Sequence, residues 1–173
     1  MAILPILKYP DPRLRQISKP VTAFDEELAA LALDLRETMI NAPGSGLAAP
    51  QVDQPLRIIV VDDTGEDEAY GEKVLTLINP KIVAAEGEQI YKEGCLSVVE
   101  LQSDVRRSAE VTVEAQDVSG QKFVVTASGR KAVILQHEID HLDGVLFLDR
   151  ISRLKKEMYR KKLLKTQKMA KNT

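Results

Sequence analysis

The stretch Ala132-Val133-Ile134-Leu135-Gln136-His137-Glu138-Ile139-Asp140-His141-Leu142 sets the centre of the fold. Its aliphatic residues wrap nearly all round a helix, and a helix of that kind belongs in the interior. Yet it carries the only two histidines of the chain, with a glutamate between them. Side chains four apart stack on one helix face, so both imidazoles can reach one metal ion, and Glu138 stands beside them within range of a water. Unpaired polar groups in an apolar interior cost several kcal/mol. The buried histidines must therefore be paired or bound, and a metal ion is the expected partner.

Working outward, Ser128-Gly129 leads into this helix from a run of strand signals. Val111, Val113 and Ala115 alternate with polar residues, Ser119-Gly120 reads as a turn, and Phe123-Val124-Val125 returns as the hairpin partner. Ile58 to Val61 is a short buried strand. An acidic loop from Asp62 to Glu72 follows, then a strand over Val74 to Ile78, ended by Asn79-Pro80. Upstream, Thr22-Ala23-Phe24-Asp25 has capping-box form and opens an amphipathic helix with Leu28, Leu31, Ala32, Leu35 and Met39 as its stripe, stopping near Asn41. Four prolines within residues 1–21 predict an extended segment laid over the body. The class is α+β: largely antiparallel sheets around the central helix, with a further helix at the C-terminal end.

A chain of 173 residues suits one domain, here expected over 1–152, with residues 153–173 as a helix packed on it or extending from it. No run approaches the roughly 20 apolar residues a membrane span requires. The first residues lack the basic-then-apolar pattern of a secretory leader. A single cysteine fits a reducing cytoplasm, where we expect the protein to act. The net charge of −2 conceals a division. Residues 153–173 hold nine Lys or Arg and one acid, Glu157, whereas the rest hold 15 basic and 25 acidic side chains. A basic tail on an acidic body predicts an anionic partner.

Two histidines do not complete a catalytic metal site, which commonly has three protein ligands and an open position. Cys95, in Glu93-Gly94-Cys95-Leu96-Ser97, is favoured as the third, because thiolate binds divalent metal strongly and Gly94 permits close backbone approach. The competing ligands are the downstream carboxylates Asp143, Asp149 and Glu157. The segment Gly44-Ser45-Gly46-Leu47-Ala48-Ala49-Pro50-Gln51 fits a dinucleotide fingerprint in letters alone, since it follows a helix and not a strand.

Taken together, GSGLAAPQ (44–51), EGCLS (93–97) and HEIDH (137–141), in that order and spacing, resemble the signature motifs of the peptide deformylases. Residues 7–15 and 141–147 are similar to that family as well, and the likeness covers residues 3–152. It implies removal of the formyl group from N-formylmethionine at the start of nascent polypeptides, with release of formate, by a metal-bound hydroxide and a Glu general base. It places the metal ligands at Cys95, His137 and His141 and the acid/base at Glu138. The oxyanion donors fall on the Gln51 side chain and the Leu96 N–H. Substrate contacts fall on Gly46 and the backbone around Gly94, and the methionine pocket near Ser45, Val133 and Ile134. It also implies one divalent ion, natively Fe²⁺, replaceable by Zn²⁺ or Ni²⁺. Val99, Gln102, Ser45 and Pro43 depart from the family's usual residues at their positions.

The resemblance implies that the tail docks on the ribosome. The tail itself predicts a helix from Arg153 to about Ala170, capped by Ser152, with Leu154, Met158 and Leu164 as its apolar contacts. We expect a monomer with no membrane partner. Two other readings compete: an HExxH zincin-type peptidase with a downstream third ligand, and a non-catalytic, metal-stabilised module that binds ribosomes.

Overall fold

The computed structural model describes residues 1–65 and 68–172; Glu66 and Asp67 of the acidic loop, and Thr173 at the end of the tail, lie outside the described residues. Seven strands and three α-helices follow the extended N-terminal segment. They are α1 (Glu26–Asn41), β1 (Gly46–Ala48), β2 (Ile58–Asp62), β3 (Val74–Glu86), β4 (Gln89–Cys95), β5 (Val98–Arg107), β6 (Glu110–Gln116), β7 (Lys122–Ser128), α2 (Gly129–Leu142) and α3 (Arg153–Lys171). Five strands form an antiparallel sheet in the order β1-β2-β3-β6-β7, and β4 pairs with β5 as a separate hairpin. The expected α+β arrangement with a central buried helix is what the structure shows.

The layers follow from the pleat. Ile59, Val61, Leu77, Val111 and Val113 present one face of the sheet to Ala132, Leu135, Ile139 and Leu142 of α2. Alternate residues Ile58, Val60 and Ile78 point the other way and meet Leu28, Leu35 and Met39 of α1. A third cluster joins Leu14, Val98, Val105, Phe147 and Tyr159, tying the N-terminal segment, the hairpin and α3 together. The extended N-terminus is stitched onto the body by Leu7 N–H donating to the Gln51 carbonyl (2.7 Å) and Tyr9 N–H to the Ser97 carbonyl (2.8 Å). Both acceptors belong to segments that build the cleft described below.

Several expectations need correction. α1 is capped by Asp25, whose carboxylate accepts from Leu28 N–H at 3.0 Å, and not by Thr22. A carboxylate directly before the first turn satisfies an orphan donor and complements the helix dipole, so it outcompetes a hydroxyl three residues earlier. β3 does not end at Asn79-Pro80 but runs on to Glu86. Asn79 takes a left-handed conformation (φ 52°), the register with β6 shifts between Ile78 and Lys81, and the Asn79 side chain bonds Val21 N–H and carbonyl. The irregularity takes up Pro80, which has no N–H for the ladder, and the Asn79 bonds tie the N-terminal segment to the strand at that point.

α3 occupies its expected span, with Ser152 accepting from Lys155 N–H, but it turns a different face inward. Leu154 (71% exposed), Met158 (62%) and Leu164 (59%) face solvent, whereas Tyr159 is 4% exposed and Leu163 packs beside it. The Tyr159 ring fills the cluster while its hydroxyl donates to the Val99 carbonyl at 2.8 Å. An aromatic body with a hydrogen-bonded tip seats here better than the aliphatic residues around it.

Candidate active site

Cys95 ends β4, and His137 and His141 lie one turn apart on α2. The Cys95 Sγ stands 3.4 Å from His141 Nε2, which in turn is 3.3 Å from His137 Nε2. All three ligating atoms lie within 4.8 Å of one another. One thiol and two imidazoles converging so closely match the donor set of a transition-metal site with an open position. The downstream carboxylates are engaged elsewhere. Asp143 pairs with Arg57 (2.8 Å), Asp149 with Arg15 and Lys156, and Glu157 with Arg160 (3.2 Å).

The surroundings drive the two rings apart in protonation. Burial disfavours a charged His137, yet Cys95 and Glu93 together hold its pKa well above the ordinary histidine value. Burial, then the proximity of His137, holds His141 well below it, leaving a neutral ring able to ligate. Glu93 Oε2 accepts from His137 Nδ1 at 2.8 Å, which directs Nε2 at the cluster. Glu93 would itself be raised by burial, but the buried Arg107 guanidinium (2.6 and 2.9 Å) and His137 bring it down to about 2. Arg107 continues to Asp140, and Asp140 to Arg150, so the ring sits at the end of a chain of ion pairs.

Glu138 projects from α2 into the cleft beside the cluster. Burial pushes its pKa up to about 7, and its Oε2 is buried with no hydrogen-bond partner. An orphaned carboxylate oxygen next to three metal-type donors is a group prepared for something that binds there. Gly46 faces it: a Cβ at that position would lie 2.6 Å from Glu138 Oε1. The glycine therefore leaves the carboxylate its place. At Gly94 a Cβ would meet Gln102 Cγ at 3.5 Å, the Leu101 carbonyl oxygen at 3.7 Å and Gln102 Nε2 at 3.8 Å, all ordinary van der Waals contacts. No close approach among the described residues demands that glycine, and it lines the cleft.

The cleft encloses about 840 Å³. Gly46, Gln51, Gly94 and Leu96 line it alongside Cys95, His137 and Glu138, and so do Ser45, Val133 and Ile134. His141 is buried behind. Gln51 is held at both ends. Its Oε1 accepts from Ala48 N–H at 2.8 Å, and its Nε2 donates to Ser97 Oγ at 3.0 Å and stands 3.7 Å from the Cys95 sulfur. The Leu96 carbonyl accepts from Lys8 Nζ at 2.6 Å, which fixes that peptide unit. Sequence reasoning missed the roles of Glu93, Arg107, Ser97 and Lys8. For Glu93 a signal existed, because it lies two residues before Cys95 on one strand and so shares its face.

With the geometry in place, the comparisons with known proteins are specific. The family model described as polypeptide deformylase matches residues 3–157. The chain belongs to the polypeptide deformylase family. The peptide deformylase of Syntrophobacter fumaroxidans is 49% identical over 170 residues, covering 98% of this chain and 99% of that one. Among solved structures, the peptide deformylase of Legionella pneumophila superposes with a TM-score of 0.89 at 45% identity, covering 99% of each chain. The Met-Ala-Ser-bound class I type b peptide deformylase of Acinetobacter baumannii matches with a TM-score of 0.80 at 33% identity, over 87% of this chain and 99% of that one. Like other polypeptide deformylases, this one is a metal-dependent hydrolase. None of its helices, among the described residues, is long and apolar enough to cross a membrane.

Proposed function

We propose that the chain hydrolyses the formyl amide of N-formylmethionine at the start of nascent polypeptides and releases formate. The observation that carries this reading is the Cys95–His137–His141 donor set with Glu138 beside it, in a cleft wide enough for a peptide. Cys95 Sγ and the Nε2 atoms of the two histidines would hold one divalent ion. When bound, that ion (Fe²⁺ natively, with Zn²⁺ or Ni²⁺ able to substitute) supplies Lewis acidity to water and to the formyl oxygen.

The protein's own groups then have defined tasks. The backbone of Gly46 and Gly94 receives the peptide main chain, and Val133 and Ile134 cover the methionine side chain, with Ser45 at the rim. Gln51 Nε2 and the Leu96 N–H donate to the oxygen on which negative charge grows; one such donor contributes about 3 kcal/mol. Glu138 takes a proton from the attacking water and returns it to the departing amine. Its raised pKa of about 7 suits a group that must both accept and release a proton near neutrality. The Met-Ala-Ser peptide bound to the Acinetobacter baumannii relative has the form of the product this reaction would leave.

Residues 1–152 form the catalytic domain in this reading, and residues 153–173 add a basic helix. The exposed lysines of α3 offer a surface for ribosomal RNA, where the counterions released from phosphate drive binding. The enzyme would act as a cytoplasmic monomer. Formate release from formyl-Met-Ala-Ser by anaerobically purified protein, with metal analysis of the same sample, tests the reading. Turnover with bound iron is expected, and no formate from metal-loaded protein would overturn it. Charge reversal at Lys161, Lys165 and Lys168 should abolish co-sedimentation with ribosomes; unchanged co-sedimentation would remove the docking role.

A further inference from the structure

Arg130 is the second residue of α2, is exposed, and lines the same cleft as the catalytic groups. Its guanidinium donates to Ser45 Oγ at 2.5 Å. No carboxylate lies within ion-pair distance of it among the described residues. Its neighbours are already engaged: Asp63 pairs with Lys131, and the Asp62 carboxylate accepts from the backbone N–H groups of Thr64 and Gly71. Of the other charged residues lining the cleft, Glu100 stands 3.7 Å from Lys162, and Lys92 adds a further cation. The cleft thus presents positive charge at Arg130 that no carboxylate among the described residues pairs with. Ser45 is the device that holds the guanidinium over it.

Position along the helix says which substrate residue would meet that charge. Arg130 precedes Val133 and Ile134 by three and four residues, so it lies on their side of α2, about 4.5 and 6 Å away along the axis. In an extended peptide, side chains one and three point the same way, roughly 6.6 Å apart. With the methionine against Val133 and Ile134, the third side chain reaches the level of Arg130, while the second points away. We infer that Arg130, held by Ser45, selects formylated peptides with an acidic side chain at the third position. This inference rests on the proposed deformylase reading and deepens it.

The test is the ratio of kcat/KM for formyl-Met-Ala-Glu-amide over formyl-Met-Ala-Lys-amide, the amide removing the terminal carboxylate. A ratio of about five is expected for the natural chain at low salt, falling toward one as salt screens the exposed pair. Arg130→Gln should bring the ratio near one and Arg130→Glu should invert it, while Ser45→Ala should weaken it without abolishing it. Because each ratio is taken within one protein preparation, a partly folded variant does not distort it. The inference is overturned if the natural chain shows no preference, if Arg130→Gln keeps it, or if the preference follows the second position. Failure to turn over either peptide, or formyl-Met-Ala-Ala-amide, would instead sink the deformylase reading and this inference with it.

Discussion

A Cβ on Gly46 would sit 2.6 Å from Oε1 and 2.7 Å from Cγ of Glu138, so strand β1 and the proposed acid/base occupy adjoining space with none to spare. The colliding atoms belong to a flexible side chain, and the protein can fold by moving Glu138 aside. Gly46→Ala should therefore retain metal and melt near the natural temperature, yet lose roughly a hundredfold in kcat, because an ångström of misplacement costs about that much. Turnover within twofold of the natural enzyme would show that Glu138 does not act from its present position.

Glu93 serves two buried partners at once, His137 at 2.8 Å and Arg107 at 2.6 Å. Glu93→Gln keeps the size but leaves a buried guanidinium with Asp140 as its remaining carboxylate. A stability loss of about 3 kcal/mol is expected in urea, together with a 10- to 100-fold drop in metal affinity against a chelator. Affinity within threefold of the natural value would mean that the ring needs no orienting partner.

Asp149 joins the N-terminal segment to α3 through Arg15 and Lys156, and it accepts from Leu146 N–H. Burial works to raise its pKa, but Arg15 and Lys156 outweigh it and hold the carboxyl far below the usual range. A depressed carboxylate stabilises the fold fully above its unfolded pKa of about 3.9, and the contribution disappears as pH falls toward the folded value. Asp149→Asn should cost about 1–3 kcal/mol at pH 7, and the difference from the natural chain should shrink steadily below about pH 4. A difference that stays constant down to pH 2 would assign the cost to packing.

Tyr159 and Met158 are neighbours in sequence with opposite surroundings, 4% and 62% exposed. Tyr159→Ala should cost about 3 kcal/mol or more, and Tyr159→Phe about 1 kcal/mol for the lost bond to the Val99 carbonyl. Met158→Ala should stay within about 0.5 kcal/mol of the natural chain. Equal losses at the two positions would mean that α3 packs with another face inward.

How far the sequence speaks depends on whether burial is apolar. The α2 stretch is legible because its interior residues are mostly aliphatic, and the β6–β7 hairpin because Val111, Val113 and Ala115 alternate cleanly. β4 and β5 carry no clean strand signal, since Glu93, Ser103 and Arg107 are among their buried positions and the hydrophobic alternation is broken there. Glu93 and Arg107 also hold the His137 ring in place, so the polar residues that hide the hairpin are in part those that orient the candidate site. The two histidines of the candidate metal site are legible from their spacing, and Cys95 from its residue type as the favoured third donor. The Arg130–Ser45 contact could not, because it joins residues 85 apart by a hydrogen bond that no periodicity reports. The inward face of α3 is not legible from its aliphatic residues, because a tyrosine ring competes with them for the interior and wins where its hydroxyl finds a carbonyl.

X-ray absorption on zinc-loaded protein measures the proposed coordination directly. One sulfur near 2.3 Å and two imidazole nitrogens near 2.0–2.1 Å are expected, with the sulfur signal lost in Cys95→Ser. A spectrum of the natural chain without sulfur, or with four protein ligands filling every position, would contradict the account.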